Sequence, residues 1–236
     1  MTEALYLKDS YLKEWNAIVQ EVDNDTFIVL DKTAFYPNGG GQPYDEGLIT
    51  KEDGTIFKVR YCGKFNGYIS HEVNEPGLKP GDEVFCRLDW NRRYRLMKMH
   101  TAIHILSEVI HRDTNAMITG GQLGEEKSRM DFALEEYDRD KIMSYIDFAN
   151  KKIQANLPIT IEFLPREEAE KIPIMTKLAK GLSKEIKEIR IVNIGDFDIQ
   201  ADGGTHVKNT NEIGTIKLLK IDNRGRNNRR IYFTLE

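Results

Sequence analysis

A change in hydrophobic pattern near residue 90 divides this chain of 236 residues into two halves. Before it, short β-branched and aromatic runs alternate with turn sequences such as PNGGGQP, EDG and FNG. Strand-like runs at intervals of about ten residues, with no helical period between them, are typical of a small antiparallel barrel or sandwich. We therefore predict an N-terminal β-barrel domain over residues 1–90 and a second domain over residues 91–236.

The second half predicts an α+β domain, in which a long helix packs on an antiparallel sheet. From Asn91 onward, apolar residues recur at helical spacing and mark one face of a helix: Leu96, Met99, Ile103, Leu106 and Ile110. The same period predicts a second helix over 138–156, with Pro158 just beyond its end. The remaining runs predict strands over 158–165, 189–201, 214–224 and 229–236, and shorter helical pieces near 166–171 and 175–181.

Two histidines, His100 and His104, form an H-x-x-x-H motif on the predicted long helix. Residues four apart lie on one face of a helix, so both imidazoles can reach a single metal ion. The spacing alone is equally typical of two surface or half-buried histidines. The residue after His100 is Thr101 rather than glutamate, which excludes the HExxH site of a metalloprotease.

The sequence DGGTH supplies a second pair of potential ligands, Asp202 and His206. Bent around Gly203 and Gly204, a carboxylate and an imidazole can complete a tetrahedral site with the two helical histidines. The alternative is an ordinary glycine turn that precedes a strand. The two pairs of candidate ligands together are a more specific signal of a shared metal site than either pair alone.

Several longer segments resemble the editing domain of alanyl-tRNA synthetase. They are HTAIH at 100–104, GGQLG at 120–124, RMDFAL at 129–134, DGGTHVKNTNEIG at 202–214 and NNRRIYF at 227–233. FYPNGGGQPYDEG at 35–47 also resembles the glycine-rich segment that precedes that domain. Because no aminoacylation sequence precedes these motifs, the resemblance is to the freestanding form, the AlaX proteins, in their longer type with an N-terminal β-barrel.

The resemblance implies a trans-editing hydrolase that cleaves the ester between tRNA(Ala) and a wrong amino acid, chiefly serine and sometimes glycine, and spares alanyl-tRNA(Ala). It also implies one zinc ion per chain, held by His100, His104, Asp202 and His206. Gln122 falls where the family has a glutamine facing the pocket, so it is a candidate for orienting water or substrate. Thr101, Thr119 and Thr205 are candidates for binding the seryl hydroxyl, and Thr101 is counted among the catalytic residues, although local helix or turn hydrogen bonds explain each threonine equally well.

One position departs from the family pattern, which usually has cysteine where this chain has Asp202. A carboxylate is a competent zinc ligand, at roughly 2.0–2.2 Å against about 2.3 Å for a thiolate. It is a harder ligand, and so it weakens the preference for zinc over harder ions. We expect direct ligation; the alternative is that Asp202 orients an imidazole and leaves an open position. The sequence also leaves open whether the ion activates water or only organises the pocket.

The net charge of −4 conceals two basic blocks that can hold the phosphates of tRNA if they flank the site. The alternative is a solvated face with internal ion pairs. Gly39, Gly40 and Gly41 are also predicted to contact tRNA, because a glycine loop permits close approach of an RNA backbone. The basic residues predicted to bind tRNA are Arg92, Arg93, Arg95 and Lys98 in the first block, and Lys217, Lys220, Arg226, Arg229 and Arg230 in the second.

The remaining features narrow the class of protein. The glycine loop lacks the GK[ST] of a P-loop, so no nucleoside triphosphate site is expected. No run approaches the roughly 18 apolar residues of a membrane span, and the opening lacks a signal-peptide pattern, so we expect a cytoplasmic protein.

Two rival functions are a non-catalytic RNA-binding module with structural histidines and a metal-dependent esterase or peptidase acting on small substrates. The oligomeric state is left open.

Overall fold

The computed structural model describes residues 1–135, 138–173, 175–177, 181 and 186–236. The chain forms two compact units, Met1–Leu96 and Met97–Glu236. The division between them falls inside a long helix, later in the chain than the change of pattern near residue 90. The predicted domain limits, 1–90 and 91–236, remain predictions.

The first unit contains the predicted antiparallel β-barrel. The strands of this unit are β1 (Glu3–Ala4), β2 (Glu14–Asp23), β3 (Phe27–Leu30), β4 (Lys32–Thr33), β5 (Gly47–Lys51), β6 (Ile56–Phe65), β7 (Tyr68–Val73) and β8 (Glu83–Leu88). Six of them close the barrel in the order β2-β3-β7-β6-β5-β8, and every neighbouring pair is antiparallel. Strands β1 and β4 form a separate two-stranded sheet. In β2, the buried residues Trp15, Ala17 and Val19 alternate with exposed ones. This period of two turns the apolar side chains into the barrel core.

The first turn of helix α1 (Trp90–Thr114) is attached to the barrel by an ion pair between Arg93 and Asp45, neither of which has any exposed side-chain surface. The Arg93 guanidinium also donates to the carbonyl oxygens of Ser10 and Ala34. Burial of an ion pair is unfavourable unless further hydrogen bonds satisfy both groups, and here they do. A phosphate cannot reach this guanidinium, so the predicted role of Arg93 in tRNA binding is corrected to a structural one.

Replacing Arg93 by leucine is expected to lower the free energy of unfolding of the first unit by about 3–5 kcal/mol, because Asp45 is left buried without its partner. Urea unfolding followed by tryptophan fluorescence measures this change, since both tryptophans, Trp15 and Trp90, lie in the first unit. The matched control is Arg95→Leu, because Arg95 is exposed, and its expected change is within about 0.5 kcal/mol. Equal losses in the two variants would contradict this account of the ion pair.

The second unit combines helices with two antiparallel sheets, in agreement with the predicted α+β class. One sheet has the order β14-β15-β10-β9 and the other the order β11-β12-β13. Besides most of α1, its elements are β9 (Ile118–Gln122), β10 (Ser128–Phe132), α2 (Arg139–Gln154), β11 (Ile159–Pro165), α3 (Arg166–Ala169), β12 (Glu188–Ile194), β13 (Asp198–Ala201), β14 (Ile216–Asn223) and β15 (Arg229–Leu235). Within the described ranges, no helix has the length and apolar character needed to cross a membrane.

The apolar faces predicted for the two long helices lie in the core. On α1, Leu106 and Ile110 have no exposed surface, and on α2 the same is true of Ala149. The start of α2 is capped by Asp138, whose carboxylate accepts a hydrogen bond from the Asp140 amide at 2.9 Å. The helical period therefore identified the buried face of each helix correctly.

Three parts of the second unit differ from the prediction. Strands β9 and β10 lie where the sequence predicts no strand, because the glycines of ITGGQ and the charges of SRMDF obscure the pattern. The strand predicted over 189–201 is two strands, separated by a turn at Gly195, whose φ of 53° favours glycine. Of the short helix predicted over 175–181, residues 178–180 lie outside the described residues, and 175–177 and 181 form no helix.

Candidate metal centre

Four side chains from two distant parts of the sequence converge in the second unit: His100, His104, Asp202 and His206. Helix α1 supplies the first two, whose spacing places both on one helical face. Strand β13 ends at Ala201, and the segment that follows it carries the other two. One potential ligand atom from each side chain lies within 4.8 Å of the other three, so the two predicted pairs form one cluster that could hold a metal ion.

The three imidazoles present the same ring nitrogen, Nε2, to the Asp202 carboxylate. Nε2 of His206 lies 3.0 Å from Oδ2, and the Nε2 atoms of His100 and His104 lie 3.6 and 4.0 Å from Oδ1. Ligand atoms about 2.0–2.2 Å from one tetrahedral ion are roughly 3.3–3.6 Å from one another. The cluster is therefore close to the size that a single small metal ion requires.

The backbone around Asp202 is fixed by Arg190 on the neighbouring strand β12. Nη1 of Arg190 donates to the Asp202 carbonyl oxygen at 2.8 Å, and the Asp202 amide donates to the Arg190 carbonyl oxygen at 3.1 Å. The Gly204 amide donates to Oδ2 of the carboxylate at 2.6 Å. These contacts aim Oδ2 at the turn and at His206, and leave Oδ1 facing the two histidines of α1.

Burial and the neighbouring charges set the ionisation of the cluster. Burial lowers the pKa of His100 to about 4, although Asp202 and a hydrogen bond to the Thr205 backbone act in the opposite direction. Burial, with a further contribution from His100, holds the pKa of His206 well below its usual range. Burial acts to raise the pKa of Asp202, but the adjacent rings outweigh it and keep this pKa well below its usual value. Neutral imidazoles and an ionised carboxylate are the forms that bind a metal ion.

The other ring nitrogen, Nδ1, faces a polar partner outside the cluster in at least two of the histidines. Nδ1 of His206 lies 3.1 Å from the Thr101 hydroxyl oxygen, and Nδ1 of His104 lies 3.5 Å from Oδ2 of Asp198. Partners of this kind orient a ligating imidazole and determine which of its nitrogens carries the hydrogen. In His104 and His206, Nδ1 therefore faces a polar partner outside the cluster, and Nε2 is the nitrogen that faces inward.

Thr101 is wholly buried, and its hydroxyl contacts three protein groups. It donates to the Met97 carbonyl oxygen at 2.9 Å, accepts from the Val207 amide at 3.3 Å and lies 3.1 Å from Nδ1 of His206. A hydroxyl has one donor and two acceptor positions, so these contacts occupy all three. The predicted contact between Thr101 and substrate is therefore corrected: this side chain bonds to its own helix and supports the His206 ring.

The variant Thr101→Val is expected to lose about 1–3 kcal/mol of stability, because it leaves buried polar partners of the hydroxyl unsatisfied while keeping its shape. Thr101→Ser keeps the hydroxyl and is expected to lose less. Thr119→Val is the matched control, since Thr119 is exposed and its hydroxyl bonds only to the half-buried Asn228 side chain among the contacts described. Urea unfolding followed by far-ultraviolet circular dichroism compares the three variants; a loss in Thr119→Val as large as in Thr101→Val would refute the assignment.

Three charged residues next to the cluster are absent from the sequence analysis: Asp198, Lys177 and Glu108, all buried. Nζ of Lys177 lies 2.6 Å from Asp198 and 2.7 Å from Glu108. Burial acts to raise the pKa of Asp198, but His104 and Lys177 bring it down to about 2. The sequence does carry a signal for two of these residues, because Glu108 follows His104 at helical spacing and Asp198 precedes Asp202 at even, strand-like spacing.

Gln122 is exposed on strand β9. Its side-chain oxygen accepts a hydrogen bond from Nε of Arg129, its partner on β10, at 3.1 Å. This bond joins the two strands, and the rest of the exposed amide is open to solvent. Its predicted catalytic role remains a prediction.

The basic residues of the first block have different surroundings. Arg95 is exposed and Lys98 is half-buried. Arg92 donates from Nε and Nη2 to the Tyr44 carbonyl oxygen at 3.1 and 3.0 Å, and its guanidinium lies over the Tyr44 ring. With Arg93 buried, Arg95 is the most accessible cation of this block.

Three basic residues of the second block form ion pairs within the protein. A pair between exposed side chains contributes only about 0–1 kcal/mol, so a phosphate can compete for the two lysines. Arg230 binds both oxygens of its aspartate from Nε and Nη2, which makes it less available. The pairs and their shortest distances are Lys217–Glu236 at 3.0 Å, Lys220–Asp222 at 2.7 Å and Arg230–Asp131 at 2.6 Å.

The last two basic residues of this block differ from each other. Arg229 is buried, and its Nη1 donates to the carbonyl oxygens of Gly225 and Asn228 at 2.7 and 2.9 Å. Its predicted contact with tRNA is therefore corrected to a structural role in holding this turn. Arg226, in the same turn, is exposed.

The predicted glycine loop is an exposed, tight hairpin turn. Gly39 and Gln42 exchange both backbone hydrogen bonds, at 3.1 and 2.9 Å. The two central residues, Gly40 and Gly41, have φ values of 58° and 85°, the combination that a type I′ turn requires and that glycine adopts without strain. The turn therefore presents bare backbone to solvent, as a close approach by RNA would need.

Two family models match separate parts of the chain. The model described as threonyl and alanyl tRNA synthetase second additional domain matches residues 189–232, which include Asp202 and His206. The model described as tRNA synthetases class II (A) matches residues 5–92, which include the whole barrel. Both matches point to proteins of tRNA aminoacylation.

Two relatives that match the whole chain carry the same name. The alanyl-tRNA editing protein AlaX-M of Methanosarcina acetivorans is 53% identical over 100% of this chain and 99% of its own length. The protein of the same name from Saccharolobus solfataricus is 44% identical over 100% of both chains. The alanine–tRNA ligase of Pyrobaculum aerophilum is 39% identical over 94% of this chain but only 25% of the ligase.

Proposed function

We propose that this chain, which belongs to the AlaX-M family of alanyl-tRNA editing proteins, is a trans-editing hydrolase that deacylates mischarged tRNA(Ala). The proposed substrates are chiefly seryl-tRNA(Ala) and also glycyl-tRNA(Ala), whereas alanyl-tRNA(Ala) is spared. The observation that carries the proposal is a cluster of three buried histidines and one half-buried aspartate in a chain similar to these proteins from end to end. A cytoplasmic location follows as part of the proposal, since aminoacyl-tRNA is used there.

One zinc ion per chain is part of the proposal, with His100, His104, Asp202 and His206 as its ligands. The number and kind of donor atoms support this ion, because zinc is held tetrahedrally by imidazole nitrogens and carboxylate oxygens. If it expanded its coordination or exchanged one of these four ligands, bound zinc would supply a Lewis acid for the ester carbonyl and lower the pKa of a water molecule; with all four ligands kept, it would organise the pocket.

The protein residues have a limited task, because an aminoacyl ester is already activated. In the proposal they hold the ester beside the cluster and orient one water molecule toward it. Gln122 is the proposed orienting residue, since its side chain is exposed and its amide nitrogen can donate to water or to the substrate. The bond from Arg129 to the Gln122 oxygen fixes which end of the amide is turned outward.

Selectivity for serine over alanine has a thermodynamic basis. A synthetase pocket sized for alanine cannot strongly reject serine or the smaller glycine by fit alone. An editing site with polar groups that bond to the seryl hydroxyl disfavours alanine, because a methyl group leaves those polar groups unpaired. Thr101 and Thr205 are both wholly buried, so the proposal assigns this contact to neither of them.

The proposed contacts with tRNA are restricted to accessible groups. The glycine turn, Gly39 to Gly41, is exposed and can approach a sugar-phosphate backbone closely. Cations at the surface neutralise phosphates and position the tRNA without reading its sequence. The cations in the proposal are Arg92, Arg95, Lys98, Lys217, Lys220, Arg226 and Arg230.

The direct test is deacylation of seryl-, glycyl- and alanyl-tRNA(Ala) by the full chain. Hydrolysis of seryl-tRNA(Ala) is expected to exceed that of alanyl-tRNA(Ala) by at least about 100-fold, because only serine pairs the polar groups of the site. The variant His104→Ala is expected to lose the activity. The exposed Asp196→Ala, also in the second unit, is expected to keep it.

Each rival function has its own outcome in this experiment. Equal hydrolysis of all three aminoacyl-tRNAs would contradict the editing proposal. Tight binding of tRNA with no release of serine would favour the RNA-binding module. Hydrolysis of small esters at a rate unaffected by tRNA competition would favour the metal-dependent esterase.

A further inference from the structure

A series of charged side chains leads away from His104 toward the surface. Oδ2 of Asp198 lies 3.5 Å from Nδ1 of His104. Nζ of Lys177 lies 2.6 Å from Oδ1 of Asp198 and 2.7 Å from Oε2 of Glu108. Nε of Arg112 lies 2.5 Å from the other Glu108 oxygen. We call Asp198, Lys177, Glu108 and Arg112 the ion network; the first three are buried, whereas the Arg112 side chain is 53% exposed.

The network joins the two elements that carry the metal cluster. Glu108 and Arg112 follow His104 at successive four-residue steps on α1, and Asp198 begins strand β13, which leads into Asp202. The Asp198 side chain has no exposed surface, and that of Lys177 is 4% exposed. Charges this far from water are retained only when each has a partner of opposite sign, and the alternating order of the network provides one.

The contact with Asp198 determines the orientation of the His104 ring. An ionised carboxylate can only accept a hydrogen bond, and Lys177 stabilises the ionised form. Nδ1 of His104 is then the nitrogen that carries hydrogen. The Nε2 lone pair consequently faces the cluster, 4.0 Å from Oδ1 of Asp202.

A rival arrangement involves Gln200, whose side-chain nitrogen lies 3.4 Å from Nδ1 of His104. If that nitrogen donated to Nδ1, hydrogen would sit on Nε2 and His104 could not bind a metal ion. The same nitrogen donates to Oδ2 of Asp198 at 2.7 Å, which is the shorter contact. The shorter bond helps to aim the Asp198 carboxylate, and because the amide nitrogen has a second hydrogen that could reach Nδ1, the tautomer of His104 distinguishes the two arrangements.

We propose that Asp198 is a positioning residue that holds His104 as the Nδ1–H tautomer with Nε2 free for the metal ion, and that Lys177 keeps Asp198 in this state by direct contact. The inference rests on the proposed metal site and adds to it a residue outside the ligand set. Asp198 acts through His104 and has no contact of its own with the reacting ester. Its role is therefore visible in metal binding and in the histidine tautomer, without any tRNA.

The wild-type chain gives the first test. Nitrogen NMR of the protein labelled at histidine distinguishes the two tautomers, with the His104 signal assigned by its loss in His104→Ala. The expected result is hydrogen on Nδ1 of His104, in both the metal-free and the zinc-loaded protein. Hydrogen on Nε2 in the metal-free protein would overturn the inference.

Three variants give the second test, in which zinc affinity is measured by competition with a chromogenic chelator. Asp198→Asn is expected to lower the affinity by about 10–100-fold, since an amide no longer demands hydrogen on Nδ1. Asp196→Asn, the same change at an exposed position, is expected to leave it unchanged. Glu108→Gln weakens the far end of the network, and is expected to lower stability with a much smaller effect on affinity than Asp198→Asn.

The outcomes separate positioning from plain structural support. An unchanged affinity in Asp198→Asn, or an equal loss in Glu108→Gln, would show that the network only stabilises the fold. If Asp198→Asn fails to fold, the tautomer in the wild-type chain still decides. Because neither test uses tRNA, failure of the editing proposal would leave this inference standing, and its own failure would leave deacylation untouched.

Discussion

Helix α1 turns polar side chains into the interior of the second unit, and much of that unit is arranged to satisfy them. His100, Thr101, His104 and Glu108 are all buried on this helix. A buried polar group without a partner costs about 1–3 kcal/mol, so the helix is stable in this position only because matching groups come from the segment around β13 and from Lys177. A shift of α1 by one residue would break all of these contacts at once. The same constraint that specifies the fold therefore also specifies the geometry of the cluster.

The two units use buried charge in different ways. In the first unit, Arg93 and Asp45 neutralise each other, and the carbonyl oxygens of Ser10 and Ala34 accept further guanidinium hydrogens, so the charges of the pair need no other partner. In the second unit, three Nε2 atoms and one carboxylate face one another across 4.8 Å or less. These groups mainly accept hydrogen bonds, so a bound cation is the partner that would satisfy all of them together. The first arrangement supports a structure, whereas the second is suited to bind an ion.

The features that could be predicted from the sequence are those that depend on near neighbours in the chain. The period of two in the barrel strands and the helical period of α1 identify the fold class, and each ligand pair is visible because its members are four residues apart. Arg93 and Arg95 show where this approach ends: they look alike in the sequence, but only the first meets Asp45, which lies far away in the chain. Lys177 was missed for the same reason, since its partners come from two distant elements. Strands β9 and β10 were missed because the glycines of β9 and the charged residues of β10 obscure the alternation of apolar and polar residues that predicts a strand.

The central claim is that one zinc ion binds to His100, His104, Asp202 and His206. Metal analysis of the purified chain, after saturation with zinc and removal of the excess, tests it most directly. We predict one equivalent of zinc per chain, its loss in Asp202→Ala, and its retention both in Asp202→Cys and in the exposed control Asp196→Ala. A wild-type chain that retains no zinc would contradict the claim, and full retention in Asp202→Ala would place Asp202 outside the ligand set.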